Sequence, residues 1–163
     1  MSIDLIIVIP LPPRGKGAAT PGAHGGMVKH AATRQWENSI AALAAYQMPR
    51  ALIAEAVQVD ILAVFARTQD LAKVYATGKP KHPVGLIPNT NKPDIDNIRK
   101  SAQDALKAHW SDDKLVVVGK TAKAWCELHG KPRLVLRIRS VGPDWLRGMT
   151  PLVEAKWGDR RDV

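Results

Sequence analysis

The 163-residue sequence has a single cysteine, Cys126, and lacks long apolar runs. One cysteine cannot form an internal disulfide, and no cysteine–histidine cluster has zinc-ligand spacing, so disulfide scaffolds and structural zinc sites are excluded. The apolar opening from Ile3 to Ile9 contains Asp4 and ends at Pro10, which makes it too short for a signal-peptide core or a membrane span. These absences predict a soluble, unexported protein of the reducing cytoplasm, with no membrane partner.

A nucleotide-binding phosphate loop is missing as well. Gly15-Lys16-Gly17 lies in a stretch from Pro10 to Gly26 that is rich in proline and glycine, but the pattern G-x-x-x-x-G-K-[ST] does not occur. The same prolines and glycines predict a loop that forms neither a helix nor a ladder. We therefore expect no nucleotide cofactor.

Positive charge is what the sequence has in excess. Lys and Arg number 24 against 15 Asp and Glu, a formal net charge of +9. Clustered Lys and Arg displace counterions from a phosphate backbone, so nucleic acid is the expected partner. An anionic membrane is a poor alternative, because no segment combines a basic face with a broad apolar face.

Hydrophobic spacing predicts one compact α/β (α+β) domain over residues 1–140, with a mixed sheet, packed helices and a tail over 141–163. The predicted helices cover Thr33–Met48, with Thr33 as N-cap, and Asp96–His109. The predicted strands cover Ile3–Ile9, Leu52–Phe65, Leu115–Trp125 and Arg133–Arg139, with the last two joined as a hairpin. Trp145 and Trp157 of the tail can cap a core or an interface but indicate no chemistry.

Two basic stretches are candidates for binding DNA. The segment 67–92 lacks periodicity and is unusually long for a connection, so it is either functional or disordered. In the last strand, Leu134, Leu136 and Ile138 share one face, while arginines dominate the other and make it strongly basic. The candidate DNA contacts are Lys79, Lys81, Lys123, Arg133, Arg137 and Arg139.

The most informative segment runs from Lys92 to Lys100 and contains Asp94 and Asp96. Two aspartates at i and i+2 of an extended chain point the same way, roughly 6.5–7 Å apart at a rise of about 3.3 Å per residue. Both carboxylates can then reach one hard cation such as Mg²⁺. Asp112-Asp113 lies at the opposite end of the following helix, so it can supply a third carboxylate only if the fold brings the next strand alongside.

Each of these residues also has a purely structural interpretation. Asp94 or Asp96 can be a helix N-cap, and Asp112-Asp113 can be a turn pair. Lys100 and Asp104 can form a surface ion pair. Two alternate aspartates cannot both occupy one N-cap position, however, which brings the catalytic interpretation close to even with the structural one.

The combination resembles the signature of the RusA family of Holliday-junction resolvases. It consists of Asp94-Ile-Asp96-Asn97, Lys100, Asp104-Ala-Leu106 and Asp112-Asp113, and it is closest from Pro93 to Lys123. The Pro12-Pro13 turn after the opening strand is also similar. The resemblance implies a compact homodimer that binds four-way DNA junctions and cuts two symmetry-related strands with Mg²⁺ or Mn²⁺. The implied catalytic residues are Asp94, Asp96, Asp113 and Lys100.

In the resemblance the three aspartates are the metal ligands, and the spacing leaves open whether Asp112 or Asp113 is the third. The loop 67–92 and the tail look like additions to the family pattern. The favoured hypothesis is a Mg²⁺-dependent endodeoxyribonuclease that resolves Holliday junctions, compatible with a phage or prophage source. Two alternatives stay open: a non-catalytic DNA- or RNA-binding protein, and a nuclease for flaps or other branched DNA.

Overall fold

A computed structural model of the chain describes residues 3–16, 20–21, 27–28 and 31–142. The tail with Trp145 and Trp157 lies outside these residues. In chain order the elements are β1 (Asp4–Ile9), β2 (Thr20–Pro21), β3 (Met27–Val28), α1 (Ala31–Ala45), β4 (Val57–Phe65), β5 (Ile87–Pro88), α2 (Ile95–Leu106), β6 (Val116–Val118), β7 (Thr121–Trp125) and β8 (Arg133–Ser140). Within this described part, no helix is long and apolar enough to cross a membrane.

Six of the described strands form one mixed sheet in the order β1-β8-β4-β7-β5, with β6 also beside β4. The central strand β4 is antiparallel to β8 and parallel to β6 and β7. The two helices pack on each other and cover one face of the sheet. This arrangement confirms the predicted α+β fold with one mixed sheet.

The core lies between the helices and the sheet. Alternate residues of β4 and β8 are buried there, as the period of two predicts, and so are the apolar residues of α2. Full burial of each Ile or Leu contributes about 1.5–3 kcal/mol. The largest fully buried side chains include Ile7, Ile9, Ile40, Ile98, Leu106, Leu134, Leu136 and Ile138.

The predicted hairpin between the last two strands is wrong. Ile61 of β4 lies opposite Thr121 of β7 on one side and Leu136 of β8 on the other, so β4 separates the two strands. The connection over residues 126–132 is long enough to pass the intervening strand, since neighbouring strands are only about 4.8 Å apart. The longest strand, β4, is therefore paired with a neighbouring strand along both of its edges.

Several element boundaries also differ from the predictions. Helix α1 begins at Ala31, so Thr33 is buried inside it and is not the N-cap. Strand β4 begins at Val57, because Ile53 instead pairs with Trp110 in an isolated bridge. The stretch from Pro10 to Gly26, which was predicted to exclude any ladder, contains β2, and β2 pairs with β3 immediately after that stretch.

The strand predicted over Leu115–Trp125 is interrupted. Residues 113–115 form a turn of 3₁₀ helix, and the chain breaks at Gly119-Lys120 before β7. The backbone N–H of Lys120 donates to the Asp60 carboxylate (2.9 Å), and a side chain on Gly119 would collide with the carbonyl of Val59. Close approach to β4 therefore divides the predicted strand into β6 and β7.

Candidate active site at the start of the second helix

Asp94 and Asp96 lie where an extended turn enters α2. Asp94 is the N-cap residue by its backbone (φ −70°, ψ 152°), but among the described residues its side chain makes no capping hydrogen bond. Asp96 lies in the first helical turn, where its charge suits the positive end of the helix dipole. Both carboxylates are exposed. The capping interpretation therefore does not account for the side chain of Asp94.

The turn before Asp94 is fixed to β7. The ammonium of Lys123 donates to the carbonyl oxygens of Asn91 and Pro93, at 3.0 Å for Pro93. The carbonyl of Lys123 in turn accepts from the N–H of Asn89 (3.2 Å), and the side chain of Asn89 accepts from the N–H of Asn91 (2.8 Å). The sequence indicated none of the contacts between this turn and Lys123, because they join residues about 30 positions apart.

The loop after β1 packs on the same helix start. The backbone N–H of Lys16 donates to the carbonyl of Asn97 (3.0 Å), and its ammonium lies 2.6 Å from Asp104. Gly15 lies so close to Pro93 that an added Cβ would come within 2.5 Å of the proline ring. Lys16 was not predicted to take part, and its position in a basic loop was its only signal.

At the other end of α2, the two aspartates of the pair have different partners. Asp112 accepts from the N–H of Lys114 (3.0 Å) and pairs with its ammonium (2.9 Å), and these contacts lower the pKa of Asp112. Asp113 accepts from the indole N–H of the buried Trp110 (3.2 Å) and lies 3.5 Å from the ammonium of Lys107. Asp112 therefore stabilises its own turn, whereas Asp113 is oriented by the core.

Lys100 connects the two ends of the site. Its ammonium lies 3.3 Å from Asp96, and its side chain lines a cleft together with Asp113. The other residues that line this cleft are Gln103, Asp104, Trp110 and Val116. The fold thus brings the predicted catalytic lysine beside one aspartate of the first pair and beside the cleft that contains the third.

The donors present suit a hard cation, because carboxylate oxygens are the ligands that Mg²⁺ prefers. Within the described ranges, no group of three or more His, Cys, Asp or Glu is close enough to hold a metal ion by itself. Magnesium commonly takes only one or two carboxylates and completes its shell with waters and substrate phosphate. The residues fit a cation shared with DNA, not one enclosed by protein.

The long basic segment is organised around Arg67. Its guanidinium donates to four carbonyl oxygens, at distances from 2.6 to 3.1 Å; the acceptors are Leu71, Pro83, Gly85 and Cys126. Val74 and Pro80 pair across a turn in which Gly78 has a positive φ of 77°. Lys79 is exposed at this turn, and the ammonium of Lys81 lies 5.1 Å from the ring centre of Tyr75.

The basic face of β8 needs a correction. Its arginines lie opposite the buried face, as predicted, but each is bound by a carboxylate, so the face is much less positive than the sequence indicates. The pairs are Arg133 with Glu127 (2.7 Å), Arg137 with Asp4 (2.7 Å) and Arg139 with Asp60 (3.0 Å). The hydrogen bond from Arg133 lowers the pKa of Glu127 to about 2.

Comparison with known protein families gives one match, to the RusA endodeoxyribonuclease family, over residues 10–139. A comparison with curated proteins finds no match. The matched region covers most of the chain and includes β2 to β7, the acidic helix start and the cleft beside it. Divalent-metal dependence is general in this family. The chain belongs to the RusA family of endodeoxyribonucleases, hydrolases that act on DNA at Holliday junctions.

Proposed function

We propose that this protein resolves four-way DNA junctions by hydrolysing two symmetry-related phosphodiester bonds, with Mg²⁺ as its cation and Mn²⁺ as a substitute. The observation that supports this most strongly is the place of Lys100. Its ammonium lies 3.3 Å from Asp96, on the wall of the cleft that contains Asp113. The base Lys100 and the acid Asp113 therefore line one cleft in which a phosphate could bind, and Lys100 links this cleft to Asp96.

Asp94, Asp96 and Asp113 would hold the cation together with substrate phosphate, since the described acids form no three-residue metal site by themselves. Once bound, Mg²⁺ supplies a water of lowered pKa and neutralises charge on the scissile phosphate. Asp113 is preferred to Asp112 because it lines the cleft beside Lys100, whereas Asp112 caps its own turn through Lys114. Trp110 orients Asp113 through its indole N–H.

The ammonium of Lys100 is exposed, and it would leave Asp96 for a phosphate oxygen. An exposed ion pair at i,i+4 is worth only about 0.3–0.5 kcal/mol, so exchanging its carboxylate for a phosphate costs little. Lys100 would then stabilise the extra negative charge that the phosphate gains as water attacks. We therefore assign Lys100 a catalytic role in the complex with DNA, in addition to its ion pair with Asp96 in the free protein.

DNA would be held by its backbone. Lys79 and Lys81 project from the turn organised by Arg67 and are the strongest candidates for phosphate contact. The arginines of β8 are weaker candidates, because each must exchange a carboxylate for a phosphate. Backbone contacts of this kind recognise the shape of a branch and not its base sequence.

The working species would be a homodimer inside the cell, where its DNA substrate is found. A four-way junction offers two equivalent phosphates, and two-fold protein symmetry supplies two sites at a fixed separation. Subunits of charge +9 repel each other, so association should strengthen with moderate salt. Sedimentation that gives 17.8 kDa at micromolar concentration, both free and on a junction, would contradict the dimer.

The test of function is a cleavage assay on four-way, flap, fork and linear duplex DNA with Mg²⁺, repeated with EDTA. We expect paired nicks on the four-way junction, and binding without nicking in EDTA. Faster cutting of flaps or forks would assign the enzyme to other branched DNA. Asp112→Asn is the matched control for each aspartate of the site, since it removes a neighbouring carboxylate that already has a structural partner.

A further inference from the structure

The turn that precedes Asp94 is held by a charged group whose role the family match does not explain. Lys123 lies on β7 opposite Ala63, on the sheet face covered by the helices. From there its ammonium donates to the carbonyl oxygens of Asn91 and Pro93. An ammonium has three donors, so these two carbonyls engage most of its hydrogen-bonding capacity.

The two carbonyls belong to residues on either side of Lys92, immediately before the acid pair. The position of the backbone here decides where α2 begins and where its first two carboxylates point. Asn89 restrains the same turn from within, and Gly15 restrains it from the opposite side through Pro93. Lys123 is the charged member of this set of restraints.

We propose that Lys123 is a positioning residue for Asp94 and Asp96 and does not contact DNA phosphate. The inference rests on the proposed role of these aspartates as metal ligands. It differs from the sequence-based prediction, which grouped Lys123 with the DNA-binding lysines. The difference arises because its ammonium is directed at the backbone of the turn, whereas Lys79 and Lys81 are exposed on a loop.

Positioning the aspartates and contacting DNA phosphate have different effects on metal affinity and on DNA binding. Partners that orient metal ligands typically change metal affinity or activity 10–100-fold when removed. A phosphate contact instead contributes about 0.9 to the log–log salt slope of binding to duplex DNA. Metal affinity and salt slope therefore separate positioning from DNA contact.

The test compares wild type with Lys123→Met, which keeps the length of the side chain but removes its donors. Mn²⁺ affinity is measured calorimetrically without DNA, and junction affinity is measured in EDTA over a range of salt. We expect Lys123→Met to weaken Mn²⁺ binding about 10-fold or more while the junction Kd and salt slope stay unchanged. Lys123→Arg, which keeps donors to the two carbonyls, should recover part of the Mn²⁺ affinity.

A second variant perturbs the same turn without changing any charge. Gly15→Ala places a methyl group within 2.5 Å of Pro93, so the turn must shift. It should also weaken Mn²⁺ binding and leave the salt slope unchanged, and it keeps the test decisive if Lys123→Met does not fold.

Unchanged Mn²⁺ affinity in Lys123→Met, or a shallower salt slope in that variant, would overturn the positioning role. Unchanged Mn²⁺ affinity in Gly15→Ala would overturn its premise, which is that the position of this turn sets the metal affinity. Failure of the wild type to cut any branched DNA would instead overturn the proposed function, and the Mn²⁺ comparison would still decide the role of Lys123.

Discussion

Two groups of carboxylates in this molecule are used in opposite ways. On the open face of the sheet, Asp4, Asp60 and Glu127 are each bound by an arginine, and the pKa of each is lowered. At the start of α2, the Asp94 side chain makes no capping bond among the described residues, and Asp96 faces one exposed ammonium. Arginine occupies the oxygens of the first group, whereas the second group keeps oxygens available for a cation.

The partner of a carboxylate, more than its residue type, therefore separates structural acids from catalytic ones in this chain. Asp60 shows the structural case. Burial raises its pKa, but hydrogen bonds from Gln58, the backbone of Lys120 and Arg139 outweigh burial and leave the pKa lowered. The bond from Lys120 also fixes the junction between β6 and β7 against β4.

The largest expected effect contrasts one acid from each region. Asp96→Asn should reduce junction cleavage by at least about 100-fold, the upper end of what outer-shell partners of a metal cause. Binding should be kept or tightened, because a negative charge near phosphates is removed. Asp94→Asn should behave in the same way, as measured by single-turnover cleavage and by gel shift in EDTA.

The matched change on the sheet is Asp60→Asn. It should leave cleavage within a few-fold of wild type but lower the free energy of unfolding by about 1–3 kcal/mol, because charge-assisted hydrogen bonds are weakened. Urea denaturation measures this loss. Wild-type cleavage in Asp96→Asn, or a collapse of cleavage in a folded Asp60→Asn, would refute the division between the two regions.

The second prediction compares two aspartates that are adjacent in sequence, one structural and one catalytic. Asp113→Asn should abolish most cleavage, whereas Asp112→Asn should retain most of it and change stability little, because the amide oxygen of Asn caps a turn about as well as a carboxylate. Cleavage rate and thermal unfolding of the two variants decide between them. The reverse ranking would make Asp112 the third ligand.

Local sequence patterns predicted many residues of this site but few of the contacts that orient them. The i,i+2 aspartates and the helix that follows them are visible in sequence, because both depend on the local period of the chain. The preference for Asp113 is not visible in these local patterns, since it depends on which aspartate accepts from the N–H of Lys114 and which accepts from the indole N–H of Trp110.

The errors in the fold have a similar cause. The bounds of strand β8 were predicted almost correctly, but its neighbouring strand was predicted wrongly. The reason is that β4 lies between β7 and β8, which follow each other in sequence. The charge of the β8 face was overestimated for the same reason. Its three compensating acids come from β1, β4 and the turn at Glu127, which only the tertiary structure brings together.

The third prediction extends the comparison to lysines of segment 67–92, one of which forms an ion pair at 2.8 Å and two of which form no such pair among the described residues. Replacing Lys79 and Lys81 with Ala should weaken junction binding and make the log–log salt slope shallower by roughly 0.9 for each true phosphate contact. Lys73 is the control on the same segment, since Asp70 already holds it at 2.8 Å. Lys73→Ala should change the slope less, and equal slopes in all variants would show that the loop does not contact DNA.

The smallest expected effect concerns how the free energy of unfolding changes at acidic pH. Arg133 lowers the pKa of Glu127 from 4.5 to about 2. A lowered pKa stabilises the folded state above the ordinary value, and this stabilisation is lost as the pH falls from 4.5 towards 2. Glu127 is 41% exposed and Arg133 is 28% exposed, so solvent screening limits the effect to less than about 1 kcal/mol.

Glu127→Gln isolates this contribution, because Asp4 and Asp60 also have lowered pKa values and make the wild-type curve fall in acid regardless. The difference in unfolding free energy between wild type and variant should be constant above pH 4.5 and should shrink as the pH falls towards 2. High salt should reduce the difference at neutral pH, since exposed ion pairs are screened. Parallel curves through the acid window would mean that the guanidinium gives Glu127 no stabilising role, which would remove it from the group of structural acids.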